Sequence, residues 1–521
     1  MLAILGVLFL GLASPAFAAQ AIQSPEISSS PANASQILDR ALASFSIEYG
    51  YLPSFGGNIS HPNELTRRLM QRLVERTGVG PDVRPGGITI DSSQYNPDSP
   101  ALTLVESSSG GIYSSTFGPA LYESLNVFPS SSKFIVSVNL GNDTIKLARD
   151  EIAAAIQHLG WDRIRALELG NEPDHYAGGQ RPAAWSSSDY TAQFIGWTSV
   201  LTRNLTLPKG IFQAGSFADD PPTASMTTEE IIDEGAGDTG AVEVYSQHMQ
   251  VRYQFSTCDP IRDAIATLPH LVNHTNITSY VDLWKPQVAA ARSVGKPLVI
   301  GEYSSVSCSG KENVTDTYGQ ALWLADSILY SASINITRMY MHQGATLVLQ
   351  SGTQANSPGF SWYDLWYPVD SDRYGTARAG PSFVAYLLIT EAVGSSGHSQ
   401  LALVATPANP QLAMYAIWDK GKLSRIAILN LANRYVSTSA DDAENLAVTV
   451  DISKYVSGSK VSKVQVKRMT APGIDSKDSD TATWAGQSYT NGTANGKEVV
   501  EGLNRGQVKV GGSEGVLVIL P

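Results

Sequence analysis

Cysteine is scarce in this sequence: among its 521 residues there are two, Cys258 and Cys308. Two cysteines suit a single disulfide in an oxidising compartment, but their spacing does not decide between a disulfide and two buried free thiols. Neither lies in the sequence context of a recognised nucleophile, so a thiol-based catalyst is disfavoured. The chemistry of the protein is to be sought in other side chains.

Positive charge is also in short supply. The chain has 36 Lys and Arg against 48 Asp and Glu, a formal net charge of -12, and no stretch clusters its basic residues. Binding to phosphates needs such clusters, so a nucleic-acid partner is disfavoured. With 43% hydrophobic and 16% charged residues, the chain can bury a large core and should form more than one globular domain.

Long apolar runs are missing too, except at the start. Residues 2–12 are apolar but shorter than the roughly 17–25 residues of a membrane-spanning helix, and a Ser-Pro pair interrupts the stretch. The small residues Ala16 and Ala18 form a cleavage pattern, so residues 1–18 are predicted to be a secretory signal peptide and the protein to be secreted and extracellular. Nine sequons fit this route as candidate glycosylation sites: Asn33, Asn58, Asn142, Asn204, Asn273, Asn276, Asn313, Asn335 and Asn491.

Residues 37–380 alternate short β-branched or apolar runs with longer segments of helical periodicity, the pattern of repeated β/α units around a parallel sheet. Eight strands are predicted, at residues 44–49, 80–86, 134–140, 164–169, 211–216, 242–248, 297–303 and 336–342. The segments 64–76 and 145–159 carry their apolar residues on one face, as helices that cover a sheet do. Eight such repeats predict an eight-stranded β/α (TIM) barrel, in which active-site residues follow the strand ends.

After residue 380 the pattern changes to alternating segments separated by Gly, Asn, Ser and Asp clusters, which is typical of antiparallel strands. Residues 381–521 are therefore predicted to form a C-terminal β-sandwich domain. Within it, residues 474–495 are polar with little to bury, so they are predicted to form a long surface loop or a poorly ordered hairpin. Residues 19–36 are expected to pack on the β domain before the chain enters the barrel.

The clearest motif, Asn171-Glu172-Pro173, lies where the fourth predicted strand ends. A general acid for glycoside cleavage must sit beside the glycosidic oxygen, and a strand end under a cleft supplies the partial desolvation that raises its pKa. The Asn171 amide can donate to the 2-hydroxyl of a sugar. The alternative, a strand end with an ordinary capped carboxylate, is disfavoured by the whole triplet after an apolar strand.

Glu302 ends the hydrophobic seventh strand in the same way. The fourth and seventh strands of a barrel face each other across its mouth, so two carboxylates there can approach the ~5–5.5 Å of a retaining double displacement. Glu302 would attack the anomeric carbon, while Glu172 protonates the leaving oxygen and later activates water. A salt-bridged strand terminus is the alternative for Glu302.

These motifs resemble glycoside hydrolase family 79 of clan A, which holds β-glucuronidases and heparanases, over nearly all of the chain after the signal peptide. The Ser-Ile-Glu-Tyr-Gly stretch around Glu48 is similar to the family's first strand, and the Arg-Pro-Gly-Gly motif from Arg84, followed by Asp91, to its second. Asn139 ends a third similar strand. The resemblance implies that Glu48, Asp91 and Asn139 bind substrate, although the two acids could also form ordinary ion pairs at strand ends.

The resemblance also implies an aromatic or histidine donor to the nucleophile on the sixth strand. His248 is the first candidate and Tyr245 the second, and a core histidine is the alternative. For the C6 carboxylate of glucuronic acid it implies hydroxyl and N–H donors after the seventh strand and a tyrosine from a later loop. The candidates are Ser304, Ser305, Ser307 and Tyr363. The aromatic cluster around Tyr363 could instead only pack the barrel mouth.

Together these features predict an exo-acting retaining β-glucuronidase that hydrolyses terminal β-linked glucuronic acid, or its 4-O-methyl ether, in glycans or glycoconjugates without a metal or an organic cofactor. The expected partner is a carbohydrate that contains glucuronic acid. A heparanase-like endo-β-glucuronidase is disfavoured because neither an excised linker nor a basic run is evident, and another clan A β-glycosidase is a further alternative. A glycan-binding protein on the same fold would be expected to have replaced Glu172 or Glu302, and both are present.

Overall fold

The computed structural model describes residues 22–106, 112–250, 255–344, 360–456 and 458–521. The predicted signal peptide, residues 1–18, and the first residues of the segment 19–36 lie outside this part of the chain. Among the residues described, no helix is both long enough and apolar enough to cross a bilayer.

Eight parallel strands close into a barrel, because β1 pairs with both β2 and β8. They are β1 Ala43–Glu48, β2 Val83–Gly86, β3 Phe134–Val138, β4 Ile164–Leu169, β5 Phe212–Phe217, β6 Val242–Met249, β7 Leu298–Tyr303 and β8 Met339–Gln343. Every strand end lies within three residues of its predicted position, and the predicted barrel is confirmed. Nearly every strand residue is buried, as expected of parallel strands that pack against helices outside and side chains inside.

Helices cover the barrel and fill its connections. They are α1 Leu52–Gly56, α2 Glu64–Thr77, α3 Ile145–Leu159, α4 Ser187–Leu205, α5 Thr228–Asp233, α6 Pro260–Ile265, α7 Leu268–Leu271, α8 His274–Val281, α9 Lys285–Ser293, α10 Gly319–Ser333, α11 Val384–Val393 and α12 Ala440–Asn445. A capping box of Ser186 and Asp189 starts α4. The predicted amphipathic helices correspond to α2 and α3.

A three-stranded sheet between β2 and β3 is absent from the sequence-based prediction. Its strands are Ser93–Tyr95, Leu102–Glu106 and Ile112–Phe117, and it follows the carboxyl end of β2, on the side of the barrel mouth. The strands are too short for their alternation to stand out between Ser, Asn and Gly clusters. A second small ladder joins Trp366–Tyr367 to Arg378–Ala379.

After α11, the described part of the C-terminal region is all-β apart from the short α12 and two 3₁₀ segments, Ser453–Tyr455 and Gly458–Lys463. Its strands are β9 Ser399–Leu403, β10 Leu412–Asp419, β11 Lys422–Asn430, β12 Val448–Asp451, β13 Gln465–Thr470, β14 Thr483–Trp484, β15 Gln507–Val510 and β16 Glu514–Ile519. Six form an antiparallel sheet in the order β9-β10-β11-β16-β13-β14, and β12 pairs with β15.

Both faces of the six-stranded sheet are buried. Along β10, Met414 belongs to a core shared with β12 and β15, whereas Tyr415 belongs to the core shared with the barrel. The Tyr415 hydroxyl donates to the buried Asp326 of α10 at 2.6 Å. The sheet therefore fills the space between the small ladder and the barrel helices.

Two segments outside the sheets also pack on this framework. The backbone of Gln23 exchanges hydrogen bonds of 2.8 Å with the backbone of β12. The prediction that 474–495 is a surface loop or a poorly ordered hairpin was wrong, because Ile474, Trp484 and Tyr489 are buried. The Trp484 indole nitrogen donates to Glu391 of α11 at 2.9 Å, so a few large side chains anchor a mostly polar stretch.

Candidate active site

Two glutamates meet at the mouth of the barrel. Glu172 follows β4 and Glu302 lies near the end of β7. One oxygen of each carboxylate and a ring nitrogen of His248, in β6, all lie within 4.8 Å of one another. The structure thus brings three of the predicted site residues together.

A bulge in β7 sets the direction of Glu302. Ile300 pairs with Gln247 and Glu302 pairs with His248, so Gly301 is an extra residue in this strand. A Cβ atom at Gly301 would lie 2.4 Å from a hydroxyl oxygen of β6, so a side chain does not fit there. Bulges re-aim neighbouring side chains, and this one sets Glu302 beside His248.

A fully buried arginine lies beneath the carboxylate pair. Arg84 of β2 is 0% exposed, and its Nη1 donates to Glu302 Oε2 at 2.9 Å. Its Nε donates to Glu168 Oε1 at 2.7 Å and its Nη2 to Asn171 Oδ1 at 2.8 Å. The last bond orients the Asn171 amide so that its nitrogen is the donor side left for a ligand. Arg84 gives Glu302 a permanent cationic partner.

Glu168, the second carboxylate bound by Arg84, lies inside the barrel. Its oxygens also accept hydrogen bonds from polar side chains of neighbouring strands, namely Ser137, Gln213 and Ser216. Burial alone would raise the pKa of Glu168, but Arg84 and the hydroxyl donors bring it below its usual value. Glu168 therefore stays charged and holds Arg84 in place beneath Glu302.

Glu172 has a left-handed backbone, with φ of 50° and ψ of 53°. The proline that follows it disfavours the right-handed helical region for the preceding residue. A non-glycine residue in the left-handed region costs about 1–2 kcal/mol, and here the Glu172 N–H donates to Ser216 O at 3.2 Å. The strain is held by the loop around Pro173, and it fixes the direction in which the carboxylate leaves the backbone.

Gln250 is a donor shared by both glutamates. Its Nε2 donates to Glu172 Oε1 at 3.0 Å and also to Glu302 Oε1. His248 Nδ1 lies 3.0 Å from the same Glu172 oxygen. His248 thus contacts Glu172, whereas the sequence analysis expected it to serve the nucleophile.

Glu48 and His342 pack against the other side of Glu302. Glu48 Oε1 accepts hydrogen bonds from the backbone and the hydroxyl of Thr89, and its Oε2 lies 3.8 Å from His342 Nε2. His342 Nδ1 lies 3.5 Å from Glu302 Oε2. Burial raises the pKa of Glu48 to about 8, against the opposing bonds from Thr89, and burial lowers the pKa of His342. Both groups are therefore predominantly neutral at pH 7, and a protonated Glu48 can donate a hydrogen bond.

Asp91 and Asn139 direct their polar atoms into the protein. The carboxylate of Asp91 accepts hydrogen bonds from the backbone of Leu140, Gly141 and Asn171 and from the hydroxyl of Tyr176. The Asn139 amide donates to Ser93 O at 2.7 Å. These bonds tie together the loops that follow β2, β3 and β4, so the geometry favours a role in shaping the site over direct contact with a sugar.

The remaining predicted residues differ in placement. Tyr245 is buried, with its hydroxyl beside Gly237 in the connection before β6, away from the carboxylates. Three serines after Glu302 are buried and donate their hydroxyls to protein acceptors, Ser304 to Gln250 O, Ser305 to Gln320 Oε1 and Ser307 to Phe255 O. The ring of Tyr363 lies 6.5 Å from that of His342, at the edge of the site.

Sequence reasoning assigned no role to Glu168, Gln250, His342 or His175, although all four lie within one or two side chains of the carboxylate pair. For Glu168 and His342, which lie on barrel strands, the sequence contains a feature that could have identified them. Each is a polar residue in an otherwise apolar strand, at a position where a buried charge or ring needs a partner. Gln250 and His175 lie in loops, where nothing in the sequence distinguishes them.

Within the described part of the chain, two groups of side chains offer metal-type ligand atoms, Glu172 with His248 and Glu302, and Asp174 with His175 and Asp219. In the first, Arg84 already donates to Glu302, so a divalent cation would meet a fixed positive charge. In the second, the pKa of His175 is raised to about 9, so its ring is protonated at neutral pH and does not offer a lone pair. Hydrogen bonds within the protein account for both groups.

Cys258 and Cys308 form a disulfide, as one of the two expectations held. It joins the loop after β6 to the loop after β7, next to a β-bridge between Ser256 and Ser307.

Six sequon asparagines are exposed, Asn33, Asn58, Asn142, Asn204, Asn313 and Asn491, and three are half-buried, Asn273, Asn276 and Asn335. The Asn335 amide oxygen accepts a hydrogen bond from Gln36 N.

Known glycoside hydrolases are similar to this chain. Residues 414–517 match the glycosyl hydrolase family 79 C-terminal beta domain. The chain is 29% identical over 507 residues to a β-glucuronidase of Aspergillus niger, covering 91% of this chain and 88% of that protein. It is 26% identical over 528 residues to a β-glucuronidase of Neurospora crassa, covering 92% and 90%.

Solved structures share the architecture. A 4-O-α-L-rhamnosyl-β-D-glucuronidase from Fusarium oxysporum superposes with a TM-score of 0.77 at 24% identity, over 95% of this chain and 100% of that one. An arabinofuranosidase superposes with a TM-score of 0.58 at 12% identity, over 94% and 99%. Residues 414–517 thus match a domain of glycoside hydrolase family 79, most of the chain is similar to β-glucuronidases, and the protein is a glycoside hydrolase.

Proposed function

We propose that the protein is a secreted, exo-acting β-glucuronidase that retains the anomeric configuration, with Glu172 as acid/base and Glu302 as nucleophile. The observation that carries this proposal is the approach of the two carboxylates, whose oxygens lie within 4.8 Å of each other above Arg84. That separation suits a retaining mechanism, since an inverting enzyme needs roughly 6.5–9.5 Å to hold a water between the groups.

In the first step, Glu302 Oε attacks the anomeric carbon while Glu172 transfers its proton to the glycosidic oxygen. The bond to the aglycone breaks, and an ester between Glu302 and the sugar forms. Arg84 balances the charge of Glu302 before the attack. The amide nitrogen of Asn171 is placed to donate to the 2-hydroxyl, where hydrogen bonds strengthen in the transition state.

In the second step, Glu172 removes a proton from water, which attacks the anomeric carbon and releases Glu302. Two displacements at one carbon restore the original configuration. Gln250 and His248 remain on the Glu172 oxygen that faces the site. They hold the carboxylate in one place while it gives a proton to the leaving group and then takes one from water.

For the sugar, the two curated relatives named above are both β-glucuronidases, and the superposed Fusarium enzyme acts on a 4-O-substituted glucuronide. We therefore assign terminal β-linked glucuronic acid, with or without a 4-O-methyl group, as the substrate. Tyr363 is the best-placed candidate for the C6 carboxylate. The serines after Glu302 would have to exchange their present acceptors to take part.

The test uses purified protein with p-nitrophenyl β-glucuronide, β-glucoside and β-xyloside, followed by ¹H NMR of the first sugar released. We expect the glucuronide to be hydrolysed with clear preference and the β-anomer to appear first. Preference for a neutral glycoside would overturn the sugar assignment, and early α-anomer would overturn retention. Glu302→Gln, in the same assay, is the inactive control.

The mode of attack needs a longer substrate. On an oligosaccharide with a terminal glucuronic acid, an exo-acting enzyme releases only the monosaccharide, whereas oligosaccharide fragments would support endo cleavage. Saturable binding without turnover of any substrate would instead support a glycan-binding protein on this fold.

A further inference from the structure

The outer oxygen of Glu172 faces a histidine that lies outside the chemistry described so far. His175 Nδ1 lies 3.6 Å from Glu172 Oε2, while His248 and Gln250 contact Oε1. The other ring nitrogen of His175 lies 3.0 Å from Asp219 Oδ1. His175 and Asp219 are 21% and 26% exposed, so they form the solvent side of the acid/base.

The backbone fixes this arrangement. His175 ends the 3₁₀ turn Pro173–His175, which directly follows Glu172, and its N–H donates to Glu172 O at 2.9 Å. Asp219 lies in the loop after β5, and its N–H donates to Asp174 Oδ2 at 3.0 Å. Asp174 therefore clamps the loop after β5 to the loop after β4, and this clamp holds Asp219 beside the ring.

The histidine carries a positive charge in this setting. Burial alone would lower the pKa of His175, but the hydrogen bond to Asp219 and the charges of Glu172 and Asp174 raise it to about 9. The ring is therefore an imidazolium throughout the range in which carboxyl groups titrate. Its charge is a constant part of the site below pH 9.

Other charged and titratable groups surround Glu172 on the inner side. Arg84 from β2, Glu302 from β7, His248 from β6 and His342 from β8 all act on it, in addition to the neighbouring Asp174. When Glu302 is esterified it loses its negative charge, so one repulsion on the Glu172 carboxylate disappears. An imidazolium beside Oε2 then favours the carboxylate form, which is the form that must remove a proton from water.

We propose that His175, held by Asp219, is a positioning residue that sets the ionisation of Glu172 as it alternates between acid and base. The inference rests on the proposed role of Glu172. No proton passes through His175 in this scheme, because Glu172 gives its proton to the leaving group and is reprotonated by the attacking water. His175 acts by its charge and its fixed place.

The test is the pH dependence of kcat/KM for p-nitrophenyl β-glucuronide in His175→Gln and His175→Lys. The alkaline limb reports loss of the protonated acid, and removing a nearby cation should raise that limb by about one pH unit. His175→Lys keeps the charge and should keep the limb close to that of the wild type. His398→Gln, an exposed histidine of the β region, is the matched control and should leave the profile unchanged.

The outcomes separate this inference from the proposed function. If the wild-type protein hydrolyses no glucuronide, the proposed function fails. If it does, and the alkaline limb of His175→Gln stays in place or moves to lower pH, the role of His175 is overturned. If the variants do not fold, NMR of the wild-type imidazoles decides, because a neutral His175 ring at pH 7 would also overturn it and a protonated ring supports it.

Discussion

The two carboxylates of the site are held in contrasting ways. Glu302 lies in a strand and is buried, and a permanent cation, Arg84, donates to it from below. Glu172 lies in a strained loop with its side chain 16% exposed, beside two histidines and a glutamine. In the proposed mechanism Glu302 changes its covalent state, whereas Glu172 changes its protonation in each step. A permanent charge suits the first task, and an adjustable, solvent-accessible setting suits the second.

The largest expected effect is on the Glu302 side. Glu302→Gln removes the attacking oxygen's charge, so turnover of p-nitrophenyl β-glucuronide should fall by at least ~10⁴-fold. Mass spectrometry with a slow substrate should detect no glycosyl ester. Glu243→Gln, on the outer surface of β6, is the control and should behave as the wild type. Near-normal turnover of Glu302→Gln would contradict the nucleophilic role of Glu302 on which the comparison of the two carboxylates depends.

Loss of Glu172 should depend on the leaving group. Glu172→Ala removes proton donation, so kcat/KM for poor leaving groups should fall by roughly 10²–10⁴-fold, and far less for 2,4-dinitrophenol. Azide, which fits the vacated space and needs no deprotonation, should restore turnover of the activated substrate. Equal loss on good and poor leaving groups would contradict an acid role.

Variants of Arg84 test whether a fixed positive charge is what holds the Glu302 carboxylate. Arg84→Met leaves Glu168 and Glu302 without their cation, so the free energy of unfolding should drop by about 3–5 kcal/mol and kcat should fall as well. Adding Glu168→Gln removes one orphaned charge. We expect the double variant to regain stability in urea unfolding but not activity. Recovery of both would show that Arg84 only balances Glu168.

Glu48, which packs against Glu302, should make the stability of the folded protein depend on pH. Its pKa is about 8 in the folded protein and close to 4.5 when unfolded, so the folded state keeps a proton that the unfolded state has lost. Its contribution to stability is therefore complete below pH 4.5 and is lost as the pH rises through 8. In Glu48→Gln, Tm should decline less over this range than in the wild type, and an unchanged slope would contradict a protonated Glu48.

The smallest effect on turnover is expected from the disulfide. Replacing both Cys258 and Cys308 by serine opens a loop of 50 residues. Because the unfolded chain gains conformational entropy, the free energy of unfolding should fall by up to about 4 kcal/mol. In a protein of this size that corresponds to a few degrees in Tm by calorimetry. Because the bridge joins loops outside the carboxylate pair, kcat should change less than in Glu302→Gln, Glu172→Ala or Arg84→Met. A collapse of kcat would place the loops within the site itself.

Much of the barrel was predictable because parallel strands, buried on both sides, are continuous apolar runs. The ends of β4 and β7 drew attention to Glu172 and Glu302 for the same reason. The apolar pattern could not predict the register between neighbouring strands. Whether His248 reaches Glu172 or Glu302 depends on the bulge at Gly301, which a run of apolar residues does not reveal.

Roles that depend on partners were harder still. The family resemblance implied that Asp91 and Asn139 bind substrate, yet backbone donors occupy the Asp91 carboxylate and the Asn139 amide donates to Ser93. Arg84 entered the prediction only as part of a motif, although it is central to the geometry. A sequence shows which groups are polar, but the hydrogen-bond donors that surround each group can be identified only in the folded structure.

The strand β16, residues Glu514–Ile519, comes last in chain order among the described strands and yet lies between β11 and β13 in the middle of the six-stranded sheet. During synthesis, β11 and β13 therefore lack the neighbour that lies between them until the chain reaches β16. A premature stop codon a few residues upstream would remove a central strand and not a tail. Affinity tags for this protein are therefore better placed at some distance from Ile519, on a flexible spacer.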